Sequence, residues 1–360
     1  MEDEYFGAMA GFLSFTVLFL LSCPAWLYYQ TFPPAIKKHS THPPGKTLSF
    51  SYAVISDTHD KGICGVSQGR WNDMAIKIIN RKKPDFVVGV GDLVAGGGDC
   101  KYLWGPANLK NQLKEFKRRI LDKLQIPFVP IAGNHDYDTR MSWNKRYAKK
   151  EWRKFWRKNR HKVLKAARYS FSGSHRFIHK GVGFSLIDYY DTYGLTKKEL
   201  RWVRRNVSKG DFVFRHINPF GLSCDGTSCG FAMRNYSLKP RKLTRTLVKK
   251  KVRALFSGHT HAFYDGICDN LRFVNTGSLG KRAMEYIRGW GKSPWRNRQA
   301  FVWVDVYTDG TFQVNFYAYH PAWRQMVLFD KRYFPSTIRC YRINRGLYTE
   351  GVAATCKTVY

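Results

Sequence analysis

Five short apolar runs in this chain each stop at a carboxylate, an amide or a histidine, and this pattern constrains the fold most. The runs span residues 50–56, 85–90, 126–132, 212–215 and 254–257, a length typical of buried strands of about four to eight residues. Two segments between the first three runs carry apolar side chains at helical spacing: Trp71, Met74, Ile78 and Ile79, then Leu109, Leu113, Phe116, Ile120 and Leu124. Alternation of strands and helices predicts βαβ units and an α/β fold. Later runs at 182–188, 272–275, 301–307 and 312–319 add strands.

The residues that follow these runs form five polar motifs. In chain order they are D-T-H at 57–59, G-D at 91–92, G-N-H-D at 133–136, a lone His216, and G-H-T-H at 258–261. Ligands of α/β sheets gather at the carboxyl ends of the strands, so the motifs are expected to converge on one edge. Residues i and i+2 project to the same side, which lets each D-x-H or H-x-H pair reach one centre.

These motifs supply seven candidate metal ligands. Imidazole and carboxylate groups bind Mn, Fe, Zn or Ni, and an amide oxygen is a weaker donor. The seven are Asp57, His59, Asp92, Asn134, His216, His259 and His261. Seven donors exceed the needs of one tetrahedral ion, but two ions that share a carboxylate accommodate them and suit in-line displacement at phosphorus. His216 enters this set only through its order in the chain and its position after a strand.

Taken in order, the five motifs resemble the calcineurin-like metallophosphoesterase superfamily over roughly Ser49 to Tyr319. The resemblance implies a central mixed β-sandwich flanked by helices, and a phosphoric ester hydrolase with two divalent metal ions, manganese being favoured over iron, zinc or nickel. It implies that one ion is held by Asp57, His59 and His261. It places the other ion on Asn134, His216 and His259, with Asp92 as the bridge.

The same resemblance implies a division of catalytic work. A hydroxide shared by the two metals would attack phosphorus, and His135 would protonate or stabilise the leaving oxygen. Asp136 would orient His135 and favour its charged form. The D-x-H and G-D-L forms depart from the D-x-G and G-D-x-x-Y forms of purple acid phosphatases, so a tyrosinate ligand to iron is not expected.

The amino-terminal segment predicts a membrane anchor. Tyr5 to Gln30 contains no charged residue and is long enough for a helix to cross a hydrocarbon core of about 30 Å. Acidic residues precede it and the cleavage signal is weak, which favours an uncleaved single-pass anchor over a signal peptide. We therefore divide the chain into an anchor at 1–30, a Pro-rich linker at 31–48, a catalytic domain at 49–320 and a C-terminal extension at 321–360.

The side of the membrane stays open at this point. Lys37, Lys38 and Lys46 follow the predicted span, which points the domain to the cytoplasm by the positive-inside rule. The cysteine spacing points to an oxidising compartment instead, because three pairs suggest disulfides: 64 with 100, 224 with 229, and 340 with 356. Cys268 is left over in that pairing.

A formal net charge of +35 makes phosphorylated substrates, an anionic lipid surface and nucleic acid all reasonable partners. The anchor and the charge together favour a phosphorylated or pyrophosphate-linked lipid as substrate. The alternative is a basic nucleic-acid-binding protein, or a nuclease, on the same frame. The basic segment 141–168 is expected to form a helix that packs Trp152 and Trp156 into the core, rather than one that lies on a membrane.

Overall fold

The structure, a computed structural model, describes residues 42–59, 69–96, 106–137, 144–167, 173–188, 196–219, 239–280, 299–320, 323–334, 337–341 and 352–360. The predicted span Tyr5 to Gln30, most of the linker, and the cysteines at 64, 100, 224 and 229 lie outside these residues. Within the described ranges, no helix combines the length and the apolar character needed to cross a membrane.

The first part of the chain alternates strands and helices, as predicted. Its elements are β1 (Leu48–Ile55), α1 (Gly69–Lys82), β2 (Phe86–Val90), α2 (Pro106–Phe116), a π-helical turn (Lys117–Leu121), β3 (Phe128–Ile131) and α3 (Asn144–Lys158). The three strands pair in parallel, β2 lying between the other two. β2 is buried along its whole length, which explains why its sequence is a continuous apolar run rather than an alternating one.

A second alternating series follows. Its elements are two 3-10 turns (Arg160–Lys162 and Lys165–Ala167), β4 (His175–His179), β5 (Val182–Ile187), α4 (Lys197–Asn206), β6 (Phe212–Arg215), α5 (Lys239–Lys249) and β7 (Ala254–Ser257). β5, β6 and β7 are parallel neighbours. α4 begins at a capping box, in which Thr196 and Glu199 satisfy each other's backbone N–H.

The last part of the chain is mostly antiparallel strand. Its elements are β8 (Phe263–Cys268), β9 (Leu271–Thr276), β10 (Ala300–Tyr307), β11 (Phe312–His320), β12 (Gln325–Leu328), a 3-10 turn (Lys331–Tyr333), β13 (Thr337–Tyr341) and β14 (Val352–Thr358). β12 adds an edge strand to one sheet, and β13 with β14 extends the other. The described residues of the segment 321–360 therefore continue both sheets.

The strands form two mixed sheets. One has the order β12-β11-β10-β1-β2-β3 and the other β13-β14-β8-β9-β7-β6-β5-β4. Their facing sides meet through aromatic rings: Tyr52 of β1 lies 5.3 Å from Phe184 and 5.5 Å from Phe212, between ring centroids. All three are fully buried, and each such side chain contributes about 1.5–3 kcal/mol. The predicted α/β fold with two sheets and flanking helices is confirmed.

The basic helix α3 packs as expected. Trp152 and Trp156 are 1% and 0% exposed, and Trp156 stacks on Phe128 of β3 at 5.6 Å. The tryptophans are thus a core stripe, and the cations on the other side of α3 are exposed: Arg146, Lys150, Arg153, Lys154, Arg157 and Lys158. This arrangement confirms the core interpretation of the segment for the residues that the structure describes.

Candidate dinuclear metal centre

Five of the seven predicted ligands lie in left-handed backbone immediately after a strand. Their φ angles are 52° at Asp57, 44° at His59, 51° at Asp92, 70° at His259 and 60° at His261. Such a conformation costs a residue other than glycine about 1–3 kcal/mol and persists only where its surroundings enforce it. Hydrogen bonds between the strand ends enforce this backbone: Asp57 N donates to Gly91 O, and His59 N donates to Asp92 O, each at 3.0 Å. The strained backbone turns the side chains toward one centre.

Asp57, His59 and His261 form the first donor group. The Nε2 atoms of the two histidines are 3.0 Å apart. Asp57 Oδ1 lies 3.3 Å from His261 Nε2 and 3.7 Å from His59 Nε2. Asp57 Oδ2 accepts hydrogen bonds from the Ser56 hydroxyl and from His259 N. Asp57 Oδ1 is buried and, within the described residues, has no hydrogen-bond donor. A buried carboxylate oxygen facing two imidazole nitrogens is a donor set that a cation satisfies.

Asp92, His216 and His259 form the second group, and Asn134 joins it. His216 Nε2 lies 3.1 Å from both Asp92 Oδ2 and Asn134 Oδ1. His216 Nδ1 is 2.8 Å from Val90 O, a contact in which Nδ1–H donates and Nε2 is left as the ligand atom. His216, which the sequence placed here only by order, is fully buried at the centre.

Asp92 joins the two groups through one oxygen. Its Oδ1 accepts a hydrogen bond from His135 N at 2.8 Å. Its Oδ2 faces His216 Nε2 at 3.1 Å on one side and His59 Nε2 at 3.9 Å on the other. The position between the groups is the one required of a bridging carboxylate. The structure therefore brings all seven predicted ligands together, and they fit a dinuclear divalent metal site.

The electrostatics of the buried side chains also suit cations. Burial would raise the pKa of Asp57 and of Asp92, but His261 and His216 respectively outweigh it and hold both carboxyls below their usual range. Burial lowers the pKa of His59 and of His259 to about 3, so both imidazoles are neutral near pH 7. Burial also opposes the charged form of His216, yet the charge of Asp92 raises its pKa to about 9, so a metal that binds His216 must displace a proton from this imidazole. Neutral imidazoles and ionised carboxylates are the forms that bind metal.

His135 lies at the open side of the centre. Its side chain is 16% exposed, and its Nε2 is 3.8 Å from Asp92 Oδ2. Its Nδ1 is 2.5 Å from Ala95 O, so the carbonyl fixes the ring with Nε2 directed inward. One nitrogen of its ring also lies within 4.8 Å of the donor atoms of His59 and Asp92. Its partial exposure, which the seven buried ligands lack, leaves it accessible to a substrate.

The hydrogen bonds of Asp136 differ from those expected of a residue that orients His135. Its carboxylate accepts hydrogen bonds from Gly133 N at 2.7 Å and Val94 N at 3.1 Å, and among the described residues none joins it to the His135 imidazole. Burial, with the charge of Asp92, raises the pKa of Asp136 to about 8. The physical reason is that its side chain turns back into the protein and ties two site loops together. Ala95 O orients His135 instead.

Two glycines in the motifs are required for space. A Cβ on Gly133 would overlap the backbone nitrogen and carboxylate of Asp92, and a Cβ on Gly258 would overlap Ser56 and Asp57. Neither glycine is in left-handed backbone, so close approach, rather than conformational freedom, explains both. The glycines let the strand ends come near enough for their ligands to meet.

Asp188 is a supporting residue that the sequence reasoning missed. Its carboxylate accepts hydrogen bonds from Ala132 N at 3.1 Å and from the Tyr137 hydroxyl at 2.7 Å, one on each side of G-N-H-D. Burial raises its pKa to about 6. The signal that could have found it is the same as for the ligands, since Asp188 ends the apolar run 182–188.

Comparison with known protein families identifies the family of this chain. The family model described as calcineurin-like phosphoesterase matches residues 50–263, which confirms the expected resemblance. Among curated proteins, none matches the chain by sequence.

Three solved structures share the fold. GAP50, the anchor in the inner membrane complex of Plasmodium, has a TM-score of 0.50 at 13% identity, over 80% of this chain and 92% of GAP50. PhoD has a TM-score of 0.52 at 10% identity, over 84% and 71%. The purple acid phosphatase PPD1 from yellow lupin seeds has a TM-score of 0.52 at 13% identity, over 84% and 55%. At such identities these likenesses are evidence of the fold alone.

Proposed function

We propose a specific activity for this chain, which belongs to the calcineurin-like phosphoesterase family and is a metal-dependent phosphoesterase. It is a membrane-anchored hydrolase of phosphate mono- or diesters, and its substrate is a phosphorylated or pyrophosphate-linked lipid. We propose manganese as the metal. The observation that carries the proposal is the single oxygen of Asp92 that faces donors of both groups. A centre of this kind suits displacement at phosphorus.

The chain's own residues define how such a reaction proceeds. The two donor groups would hold two divalent ions, which would supply a hydroxide nucleophile near neutral pH and stabilise charge at phosphorus. His135 presents Nε2 at the accessible side of the centre, while Nδ1 is held by Ala95 O. Nε2, when protonated, donates to the leaving oxygen, a role worth about 10²–10⁴-fold in rate. Asp188 and Asp136 fix the loop that carries His135.

The lipid substrate is supported by charge and by the amino-terminal segment. A formal charge of +35 attracts phosphorylated groups and anionic headgroups. The uncharged segment Tyr5 to Gln30, as an anchor, would keep the domain at the bilayer surface. A substrate that is itself a lipid would then be concentrated at the site.

The cysteines support an oxidising compartment for the domain. Cys268 is disulfide-bonded, so the expectation that it is the unpaired cysteine is wrong. Disulfides persist in oxidising compartments, and we therefore propose that the domain faces the extracytoplasmic side. The lysines after the predicted span favour the opposite side; a bonded cysteine in the folded domain is the stronger of the two indications.

The test is a substrate and metal screen on the full-length protein. We expect phosphatase activity with Mn²⁺ on p-nitrophenyl esters, and higher activity on phosphorylated lipid in vesicles than on soluble esters of equal phosphate concentration. Asp92→Ala should lose bound metal and activity. His135→Ala should lose activity by about 10²–10⁴-fold but keep its metal by elemental analysis, and the exposed His161, replaced by Ala, is the matched control. Equal rates on lipid and soluble esters would contradict the lipid substrate.

The alternative is a nucleic-acid-binding protein or nuclease on the same frame. It predicts salt-sensitive binding to DNA or RNA, and either no turnover with any metal or cleavage of nucleic acid in preference to lipid. The same screen distinguishes these outcomes.

A further inference from the structure

We propose that α4 and α5 form a basic face that docks the domain on an anionic lipid bilayer. The basic face is defined by seven exposed cations: Lys197, Arg201, Arg204, Arg205, Lys242, Arg245 and Lys249. This inference rests on the proposed membrane association, but it does not depend on the substrate or on turnover.

The topology puts both helices on the same outer side of the second sheet. β5, β6 and β7 are adjacent and parallel, so the crossovers through α4 and α5 have the same hand and lie on one face. The opposite face of these strands is occupied by the first sheet, through contacts such as Tyr52 with Phe212. α4 and α5 also pack against each other. Together they form a broad helical layer over the sheet.

Each helix separates its apolar and basic sides. α4 buries Leu200 and Val203, and α5 buries Leu243 and Leu247. The cations of α4 fall at helical spacing on the opposite side, as do those of α5. Glu199 is the acid of α4, and it is buried, where it caps the helix and lies 3.7 Å from Arg215. The solvent side of both helices therefore presents cations and no acid.

The described residues supply no acidic partner to the cations of the basic face. Across the part of the chain that the structure describes, none of the seven is in an ion pair. On the first-sheet side acids stand among the cations, and some of them pair: Lys117 with Asp122, Arg118 with Glu115, and Lys123 with Asp73, all at 2.7 Å or less. Other cations there, such as Lys77 and Lys110, are exposed without an ion pair among the described residues. The basic face differs in that no acid lies among its cations, so its positive charge is concentrated. It is a layer whose counterion comes from outside.

An anionic bilayer fits this layer better than a nucleic acid does. Single-stranded nucleic acid is bound on exposed aromatic rings, but Trp202, the aromatic residue of α4, is half-buried. Among the described residues, the well-exposed large apolar side chains lie on neither helix: Leu48, Ile178, Ile267, Trp323 and Tyr360. Binding is thus expected to be electrostatic and peripheral. Cations within a Debye length of an anionic leaflet are attracted to it, and salt screens the attraction.

Lysine footprinting of the full-length protein tests the docking directly. The protein is labelled with an amine-reactive reagent alone, with neutral phosphatidylcholine vesicles, with vesicles that contain phosphatidylglycerol, and with RNA at equal phosphate concentration. We expect labelling of Lys197, Lys242 and Lys249 to fall at least about threefold on anionic vesicles, and to recover in high salt. Exposed Lys77 and Lys110, on α1 and α2, are the internal controls. Their unchanged labelling makes the result independent of any anchoring by the amino terminus.

A charge-reversal pair separates this surface from net charge. The triple variant Arg201→Glu, Arg204→Glu and Arg205→Glu should abolish the protection of Lys242 and Lys249, and leave hydrolysis of p-nitrophenyl phosphate unchanged. The matched variant Lys77→Glu, Arg81→Glu and Lys110→Glu carries the same change in charge and should keep the protection. Glutamine at the same three α4 positions gives a milder version if the glutamates disturb the helix.

Three results would overturn the inference: equal loss of protection in both triple variants, no protection of the wild-type lysines by anionic vesicles, or protection by RNA alone. Lipid hydrolysis without footprint protection would remove this inference and leave the proposed function. Footprint protection without lipid hydrolysis would support this inference and contradict the proposed lipid substrate.

Discussion

Replacement of Gly133 by alanine should damage the metal centre through one steric contact. A Cβ at this position would lie 2.9 Å from the carboxylate carbon of Asp92, and closer still to its Oδ1 and backbone nitrogen. Ordinary contact for a Cβ begins at 3.4 Å, so the carboxylate carbon must retreat by at least 0.5 Å, which is 3.4 less 2.9, and the nearer Oδ1 atom by about twice that distance. The retreating group is the one that faces both donor groups.

The expected loss follows from that displacement. A misplacement of about 1 Å near the reacting groups costs about 100-fold in rate, which corresponds to about 2.7 kcal/mol in the activation barrier. We expect Gly133→Ala to lose about 100-fold in kcat/KM on p-nitrophenyl phosphate, with bound metal below two equivalents by elemental analysis. The variant should nevertheless remain folded by circular dichroism, because the added methyl group lies at the end of a strand.

Gly181→Ala is the matched control. Gly181 is in left-handed backbone, with φ of 79°, and an added Cβ would meet nothing within 4 Å. Its cost is therefore about 1–2 kcal/mol of stability, with kcat/KM and metal content unchanged. A Gly133→Ala protein with full activity and two bound metals, or a Gly181→Ala protein with the same kinetic loss, would refute the reasoning that close approach at Asp92 is critical.

Three further predictions concern pH, metal and the disulfide. Burial raises the pKa of Asp188 in the folded protein to about 6, from about 3.9 in the unfolded chain. The stability that Asp188 confers is therefore full below about pH 3.9 and is lost as pH rises through 6, an effect of about 3 kcal/mol. The difference in unfolding free energy between wild type and Asp188→Asn, measured with urea, should change by this amount between pH 4 and 6, and a constant difference across that window would contradict the prediction. Mn²⁺ at about 100 times its dissociation constant should stabilise the fold by about 2.7 kcal/mol, measured as a rise in Tm that a chelator reverses. The Asp92→Ala variant should show no such rise, and an equal rise in that variant would mean that the metal binds elsewhere. Cys268 is buried in the fold, so it should be tested in the urea-unfolded protein, where it should resist alkylation until a reductant is added, and Cys268→Ser should cost about 2–4 kcal/mol; alkylation of the unfolded protein without reduction, measured by peptide mapping, would remove the argument for an oxidising compartment.

The strands that carry the site were predictable because each is a local signal. β2 is apolar along its length and β6 over its first three residues, and a polar motif follows each, so the sequence located both to within one residue. β4 and β8 were missed, since His175, His179 and Asp265 interrupt their apolar patterns. Both strands gain their order from pairing with neighbours, β4 with β5 and β8 with β9. Pairing partners are not local, and a single run of residues does not reveal them.

The direction of individual side chains was less predictable. The family resemblance implied that Asp136 orients its neighbour His135, but the Asp136 carboxylate accepts hydrogen bonds from Gly133 N and Val94 N. The carbonyl of Ala95 has the predicted role instead. Every residue carries a carbonyl, so nothing in the sequence distinguishes the one that will meet an imidazole.

The amino-acid sequence by itself determined which donors are present and where along the chain they occur, because strand ends and the i, i+2 rule are local properties. The seven ligands, from Asp57 to His261, follow from that information together with the family resemblance. Only the tertiary structure decided how they meet: the left-handed backbone at five of them, the single oxygen of Asp92 between the groups, and the distance of His59 from His261. Those two histidines are 202 residues apart, and their separation is set by the packing of two sheets, which no local pattern encodes. The same packing put the cations of α4 and α5 side by side, away from the acids that would have neutralised them.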